Sequence, residues 1–321
     1  MSADLGHQTS PGDGGDGGAE ESYRTGTVAL VGRPNAGKST LMNHWLAEKV
    51  AIVSAKPQTT RQRIVGILSD ERGQIVFYDT PGVHRPQHGM NRRMLKMARE
   101  ALNDADLVCL LVDVSQPPGS GDRYLRQWVD QVEAPKVVLL NKIDLVKKPR
   151  LLPLIAGYAG AGFEEIIPVS ALKGDGTDGA LEAVRRLLPE GPPIYDTELV
   201  SIHPERFLVA ERIREKVLEQ TRDELPFSVA VVIDAWEDVP ETGLTKIYAS
   251  ILAERSGQKK ILVGAHGSRV KSIGTAARKD IEAYLDRRVY LDLKVRVESD
   301  WRENERILSQ LDRAPYASSW G

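Results

Sequence analysis

Four short motifs lie in order within residues 32–171: Gly32-Arg-Pro-Asn-Ala-Gly-Lys-Ser39, Asp79-Thr-Pro-Gly82, Asn141-Lys-Ile-Asp144 and Ser170-Ala171. Together they point to guanine-nucleotide chemistry. In the first, glycines let backbone N–H groups converge on phosphate, and the helix N-terminus expected after it adds a favourable dipole. The phosphate cradle is read as Gly32, Arg33, Pro34, Asn35, Ala36, Gly37, Lys38, Ser39 and Thr40. Lys38 should bridge the β- and γ-phosphates, and the Ser39 hydroxyl should ligate Mg2+.

The second motif should sense the γ-phosphate. Asp79 ends an apolar run, so its carboxylate is placed to hold a Mg2+-bound water, with the Gly82 N–H facing the γ-phosphate. A second hydroxyl must reach the metal. Pro57-Gln-Thr-Thr-Arg61 supplies two, with Thr60 favoured and Thr59 close behind. Loss of the γ-phosphate would release these contacts, so segments 54–62 and 82–93 are the expected switches. Gln58, Thr59, Thr60, Arg61 and Gln62 belong to the first, and Asp79, Thr80, Pro81, Gly82 and Val83 to the second.

The last two motifs select the base. Guanine offers N1–H and an exocyclic amine, and the Asp144 carboxylate can accept both. Adenine offers an acceptor and no amine there, so it would leave the site's polar groups unpaired. Asn141 can bond the other edge of the base and neighbouring backbone, and the Lys142 stem can cover its face. Ser170-Ala171 can offer a backbone N–H to guanine O6. Ile143 and Val169 complete the guanine-binding set.

Catalysis lacks one part. Many GTPases orient the attacking water with a Gln directly after Asp-x-x-Gly. Here Val83 stands there, so intrinsic hydrolysis should be slow, on the order of 10⁻³ s⁻¹ or below. Three compensations are open: Asn35 placing K+ against the phosphates, His84 swinging in, or a group from a partner.

These motifs need a parallel sheet to carry them. Apolar runs at 27–31, 107–112, 137–140 and 166–169 alternate with helical patterns at 38–48, 91–102, 122–132, 150–159 and 178–188. Residues 63–68 and 74–78 read as two strands joined by a tight turn at 70–73. That alternation predicts an α/β P-loop domain over 23–190 with helices on both faces of the sheet. The chain of 321 residues suits two domains. Pro189-Glu-Gly-Pro-Pro193 marks the break, with 191–203 as linker. Residues 1–22 are Gly-, Asp-, Ser- and Glu-rich and are expected to be a disordered tail, with 316–321 a C-terminal tail. The tail has neither the basic start nor the apolar core of a secretory signal. One cysteine, Cys109, excludes a disulfide framework, suits a cytoplasmic setting and lies in an apolar run as core. Net charge is −2, so any affinity for nucleic acid must come from charge distribution.

Residues 204–315 predict an α+β domain: a charged helix at 204–222, strands at 227–235 and 245–252 joined by an acidic loop, a basic helical region at 259–285, and a half-buried strand at 289–297. From Lys259 to Lys279 there are six Lys or Arg and no acidic residue. Gly264-Ala-His-Gly267 sits within it. Such a loop between helices admits a nucleic-acid backbone closely, and single-stranded bases can lie in the groove beside it. Lys259, Lys260, Gly264, Ala265, His266, Gly267, Arg269, Lys271 and Arg278 are the candidate RNA contacts.

The GTPase motifs alone also fit a tandem-domain relative or a tRNA-modification GTPase. Adding Glu211-Arg-Ile-Arg-Glu-Lys216, Leu225-Pro-Phe-Ser228, Gly257-Gln-Lys-Lys260, Lys271-Ser-Ile-Gly274 and Ala277-Arg278, the chain resembles the Era family of bacterial ribosome-associated GTPases over about 27–315. That resemblance implies a translation-factor-class G domain followed by a type II KH domain. It implies GTP/GDP and Mg2+ as ligands, with K+ a further candidate. It also implies binding near the 3′ end of small-subunit ribosomal RNA during 30S maturation, with GTP favouring the RNA-competent state. The expected protein is a cytoplasmic monomer, and peripheral membrane association goes with the family. Val83 is a hydrophobic residue shared with it. Ala36 and the pair Ala265-His266 depart from the pattern; the second removes a phosphate contact, worth about one unit of salt slope. The rival classes are a GTP-responsive RNA-binding module with negligible turnover and a K+-dependent dimerising GTPase acting on another RNA.

Overall fold

A computed structural model of the chain describes residues 22–56, 59–82, 89–222, 225 and 228–311. The expectations for 1–21, Gln58, Val83, His84 and 316–321 lie outside these residues. The first domain is a six-stranded sheet in the order β2-β3-β1-β4-β5-β6. Its strands are β1 (Arg24–Gly32), β2 (Ile64–Asp70), β3 (Gly73–Asp79), β4 (Leu107–Asp113), β5 (Lys136–Asn141) and β6 (Glu165–Val169). Only the β2–β3 hairpin is antiparallel; β3-β1-β4-β5-β6 run parallel. Strands buried on both faces read as continuous apolar runs, which is why 107–112 and 137–140 were legible. Val28 and Leu30 point to one core, where α1 (Lys38–Leu46) and α5 (Thr177–Leu187) pack. Ala29 and Val31 point to the other, under α2 (Gly89–Asn103), α3 (Ser120–Val129) and α4 (Leu151–Tyr158). Cys109 is fully buried and its thiol is pushed up by that burial, so it packs as a small apolar group.

The parallel arrangement brings the C-terminal ends of β1, β3, β5 and β6 to one edge, where all four motifs sit. This is where ligands bind in open α/β sheets.

The second domain runs α6 (Glu205–Gln220), β7 (Val229–Val239), β8 (Leu244–Ala253), α7 (Ser256–Val263), α8 (Ser268–Leu285) and β9 (Arg288–Val297). β7 and β8 form an antiparallel hairpin, and β9 adds parallel to β8. This α-β-β-α-α-β order is that of a type II KH domain. The stretch read as an acidic loop differs: 236–239 belong to β7, and the turn spans only 240–243, because Trp236 and Val239 find cross-strand partners in Ile247 and Leu244. A final helix α9 (Glu305–Leu311) turns Ile307, Leu308 and Leu311 to one side. It packs with fully buried Trp301 on Ala230 and Leu252, the sheet face opposite α6–α8. No helix among the described residues is long and apolar enough to cross a membrane.

Residues 191–203 are more than a spacer. β2 is an edge strand, and the segment covers it. Ile67 N–H donates to Val200 O at 2.8 Å, and Ser201 Oγ donates to Val65 O at 2.6 Å. The Gln74 amide oxygen accepts from Ile194 and Tyr195 N–H at 2.7 and 2.8 Å. Val65 N–H donates to His203 Nε2 at 2.9 Å. Covering an edge removes a pairing liability and fixes the exit of the chain towards α6.

His203 must be neutral to accept that bond. Burial first, and then the nearby Arg63 cation, lower its pKa to about 4. The folded value is below the unfolded one, about 6.5. The unfolded chain therefore binds more protons between the two values. Stability is full above about pH 6.5 and falls as pH drops towards 4. Denaturant unfolding at pH 7 and pH 5 should show a loss of about 2 kcal/mol from this group. His203→Gln should show a correspondingly shallower loss; an unchanged loss in that variant would remove His203 from the account.

Candidate functional site

The phosphate loop joins β1 to α1. Gly37 holds φ +100°, and a Cβ there would lie 2.2 Å from Asn141 Nδ2, so only glycine fits. Lys38 is buried, and its ammonium donates to the Arg33 and Gly32 carbonyls at 3.2 and 3.4 Å. Burial pushes its pKa down while Asp79 opposes the shift. An anion in the loop would offer that cation a better partner than two carbonyls. Pro34, Asn35, Thr40 and Gly82 complete this end of an open cleft of about 270 Å³. A side chain on Gly82 would meet Pro34 backbone at 2.6 Å, which ties Asp-x-x-Gly to the loop. Ala36 and Thr80 are buried behind, with Thr80 Oγ1 donating to Leu30 O at 2.8 Å. Arg33 turns away to Asp122, 3.0 Å distant.

Three oxygens converge beside the loop. Ser39 Oγ donates to Asp79 Oδ2 at 2.6 Å, Thr60 Oγ1 to the same atom at 3.1 Å, and the two hydroxyls are 2.9 Å apart. Asp79 is fully buried, and its Oδ1 has no partner among the described residues. Burial pushes its pKa up, opposed by Lys38 and then by the Ser39 and Thr60 bonds. A hard oxygen set with an orphaned carboxylate oxygen fits a divalent cation such as Mg2+. Of the two threonines, the structure brings Thr60 here. Thr59 instead donates to Lys56 O at 2.6 Å.

At the other end of the cleft, Asn141 ties three loops together. Its Nδ2 donates to Ala36 O at 2.7 Å, and its Oδ1 accepts from Lys142 N–H at 2.8 Å and Ala171 N–H at 2.9 Å. Both lone pairs of that oxygen are thus used by backbone, so Asn141 acts on loop geometry. Asp144 Oδ1 accepts from Ser170 Oγ at 2.7 Å, which aims an exposed carboxylate into the cleft. The expectation for the Ser170-Ala171 N–H groups needs correction. Ser170 N–H donates to Asp175 O and Ala171 N–H to Asn141, so neither is free for guanine O6. The competing acceptors are fixed by the β6–α5 turn and by the Asn141 tie. Val169 is buried beneath, and Ile143 packs with the α2–α4 core.

Two features of this pocket were missed from sequence. Lys142 holds φ +71° and its ammonium sits 2.6 Å from Asp113 Oδ2. Asp113 ends β4 opposite Asn141, and bonds from Lys142 and Ser115 hold its pKa down against partial burial. Leu145 and Leu172 stand 64% and 74% exposed at the mouth, placed to cover a flat base. An acid closing a strand beside Asn-Lys-x-Asp was the available signal for Asp113.

In the second domain, Gly264 and Gly267 hold φ +73° and +76°, and His266 +51°. A Cβ on Gly264 would lie 2.9 Å from Arg269 N, whereas Gly267 faces open space. The loop thus presents backbone at the N-terminus of α8. Beside it runs a groove lined by Val270, Lys271, Gly274, Thr275 and Arg278 of α8 and by Leu291 and Leu293 of β9. Lys271 and Arg278 therefore share the groove, and Ala265 and His266 are exposed at its end. Lys259 and Lys260 are exposed on α7, outside the groove lining. Arg269 folds back to donate to Ile261 O at 2.8 Å, capping α7. The two leucines were missed; the one-face spacing 271, 274, 275, 278 was the readable part.

Fold and site together define a P-loop GTPase domain followed by a KH domain. A family model described as 50S ribosome-binding GTPase matches residues 27–142, and one described as KH domain matches 224–302. GTPase Era of Geobacter metallireducens is 44% identical over 294 residues, covering 91% of this chain and 99% of that protein. GTPase Era of Leuconostoc citreum is 45% identical over 296 residues, covering 91% and 97%. A crystal structure of an Aquifex aeolicus Era variant bound to GDP·AlF4⁻ superposes with a TM-score of 0.88 at 35% identity, covering 91% of this chain and 100% of that one. Era in complex with MgGDPNP and nucleotides 1506–1542 of 16S ribosomal RNA gives the same score and identity, covering 91% and 99%. The chain belongs to the Era family of GTPases.

Asp144→Asn tests the base assignment. An amide cannot accept both guanine donors, so GTP affinity should fall about a hundredfold or more while preference over ATP narrows. Competition binding with both nucleotides measures this. Intact GTP preference in the variant would move the base-reading role elsewhere.

Proposed function

We propose that this chain binds and hydrolyses GTP, binds the 3′ end of small-subunit ribosomal RNA, and acts in 30S subunit assembly. The observation that carries the reading is the pairing, in one chain, of the Ser39–Thr60–Asp79 oxygen cluster with a cation-edged groove beside a Gly-x-x-Gly loop. The relative bound to 16S ribosomal RNA and MgGDPNP supports both halves. Ser39 and Thr60 would hold Mg2+ directly and Asp79 through water. The metal supplies charge neutralisation on the β- and γ-phosphates. Lys38, already buried and desolvated, stabilises charge that develops on the transferred group. Leu145, Leu172 and the Lys142 stem exclude water from the base. Asn35, whose Nδ2 donates to Ala55 O at 2.7 Å, keeps its amide oxygen available for K+ at the phosphate edge. On this reading the protein works in the cytoplasm as a monomer.

In the second domain, the loop N–H groups and α8 dipole receive backbone phosphate, Lys271 and Arg278 add charge, and Leu291 and Leu293 floor the groove under bases. Titrating the 3′ tail of small-subunit ribosomal RNA at fixed salt, with GTP analogue, GDP or no nucleotide, tests the function. Binding should be tightest with the analogue. Gly267→Asp should weaken it about tenfold or more through charge repulsion, with nucleotide affinity nearly unchanged. No RNA binding in any state would discard the ribosomal role and leave the GTPase assignment standing.

A further inference from the structure

Residues 59–62 are held by both domains. Thr60 alone turns to the nucleotide side, where Ser39 and Asp79 receive it. Its neighbours are gripped from the second domain. The Thr59 carbonyl accepts from Arg214 Nη2 of α6. The Arg61 guanidinium donates to Val229 O at 2.5 Å and lies 5.8 Å from the Trp301 ring centroid. The Gln62 amide donates to Leu311 O. Upstream, Val53 N–H donates to Glu215 Oε1 at 3.1 Å, and Lys49 O accepts from Arg212 at 2.9 Å. One helical turn of α6 thus reaches the Thr59 carbonyl within the expected switch and Lys49 and Val53 on its approach.

Arg214 is the best placed of these groups. Its side chain is 3% exposed, and both Glu211 carboxylate oxygens hold it, at 2.7 and 2.5 Å. A buried guanidinium fixed on one side by a carboxylate has little rotamer freedom left. It can therefore set the position of the carbonyl it binds, one residue before Thr60.

We propose that Arg214 is a positioning residue for GTP hydrolysis: from the KH domain, it holds the Thr59 carbonyl so that Thr60 stands at the metal. The KH domain is then an ordering element of the GTPase site as well as an RNA reader. This rests on the reading of Thr60 as a Mg2+ ligand. The GDP state does not require Thr60, so the role is specific to the triphosphate. By thermodynamic reciprocity, whatever undocks α6 from switch I also weakens GTP relative to GDP.

The test compares Arg214→Lys and the paired variant Glu211→Gln/Arg214→Met, which removes the buried charges together and avoids a stranded carboxylate. GDP affinity should stay within about twofold of the parent, while GTP-analogue affinity and kcat each fall about tenfold, the scale of one charge-assisted hydrogen bond. In a Thr60→Ala background the Arg214 changes should add nothing, since they act through Thr60. If Thr60→Ala lowers the GTP-to-GDP affinity ratio but the Arg214 variants do not, the positioning role is overturned. Equal losses of GDP and GTP analogue in the Arg214 variants, or losses that add to those of Thr60→Ala, overturn it too. If Thr60→Ala itself leaves the ratio unchanged, the metal-ligand reading fails first.

Discussion

A buried carboxylate oxygen without a hydrogen-bond partner is costly, and among the described residues Asp79 carries one. The protein tolerates it because Lys38 stands near and because Ser39 and Thr60 bond the other oxygen. These groups reach Asp79, at the end of β3, from two places: Lys38 and Ser39 from the helix after the phosphate loop, and Thr60 from the segment before β2. The site is therefore completed by a segment, 59–62, that belongs to no helix or strand. Its order depends on what lies behind it, and what lies behind it is the second domain. From one desolvated carboxylate follow the metal-ready oxygen cluster, the dependence on Thr60, and the contact of both domains with a single strip of backbone.

The second helix of the G domain adds to the same junction. Met90 and Met94 of α2 pack with Trp301, Ala230 and Leu252, and Met90 N–H donates to Arg302 O at 3.2 Å. Arg92 and Arg93 pair with Glu303 and Glu305. These last pairs are surface contacts and worth little singly; the apolar burial around Trp301 carries more of the energy. Both expected switches thus lean on the C-terminal domain, one through buried polar bonds and one through an apolar patch.

Much of this was legible in the sequence because the phosphate loop, Asp79, Asn141 and Asp144 act through local geometry and fixed spacing. The parallel strands declared themselves as apolar runs, since burial on both faces leaves no polar alternation. Long-range pairings were not legible. Nothing local reveals that Ala171 N–H is taken by Asn141, that Arg269 folds back on Ile261, or that 191–203 cover the β2 edge. The same holds for Arg214, which reads as one more charge on an amphipathic helix until the fold brings it to Thr59. Leu291 and Leu293 were hidden because their role depends on a groove formed with a helix about twenty residues earlier in the chain.

Amide hydrogen exchange, comparing the GDP-bound and GTP-analogue-bound states with Mg2+, tests the shared strip directly. Ordering Thr60 at the metal should slow exchange in 53–62 and, in the same transition, in 228–231 and 299–302 of the second domain. Protection confined to the nucleotide cleft, with 228–231 and 299–302 unchanged, would contradict the account.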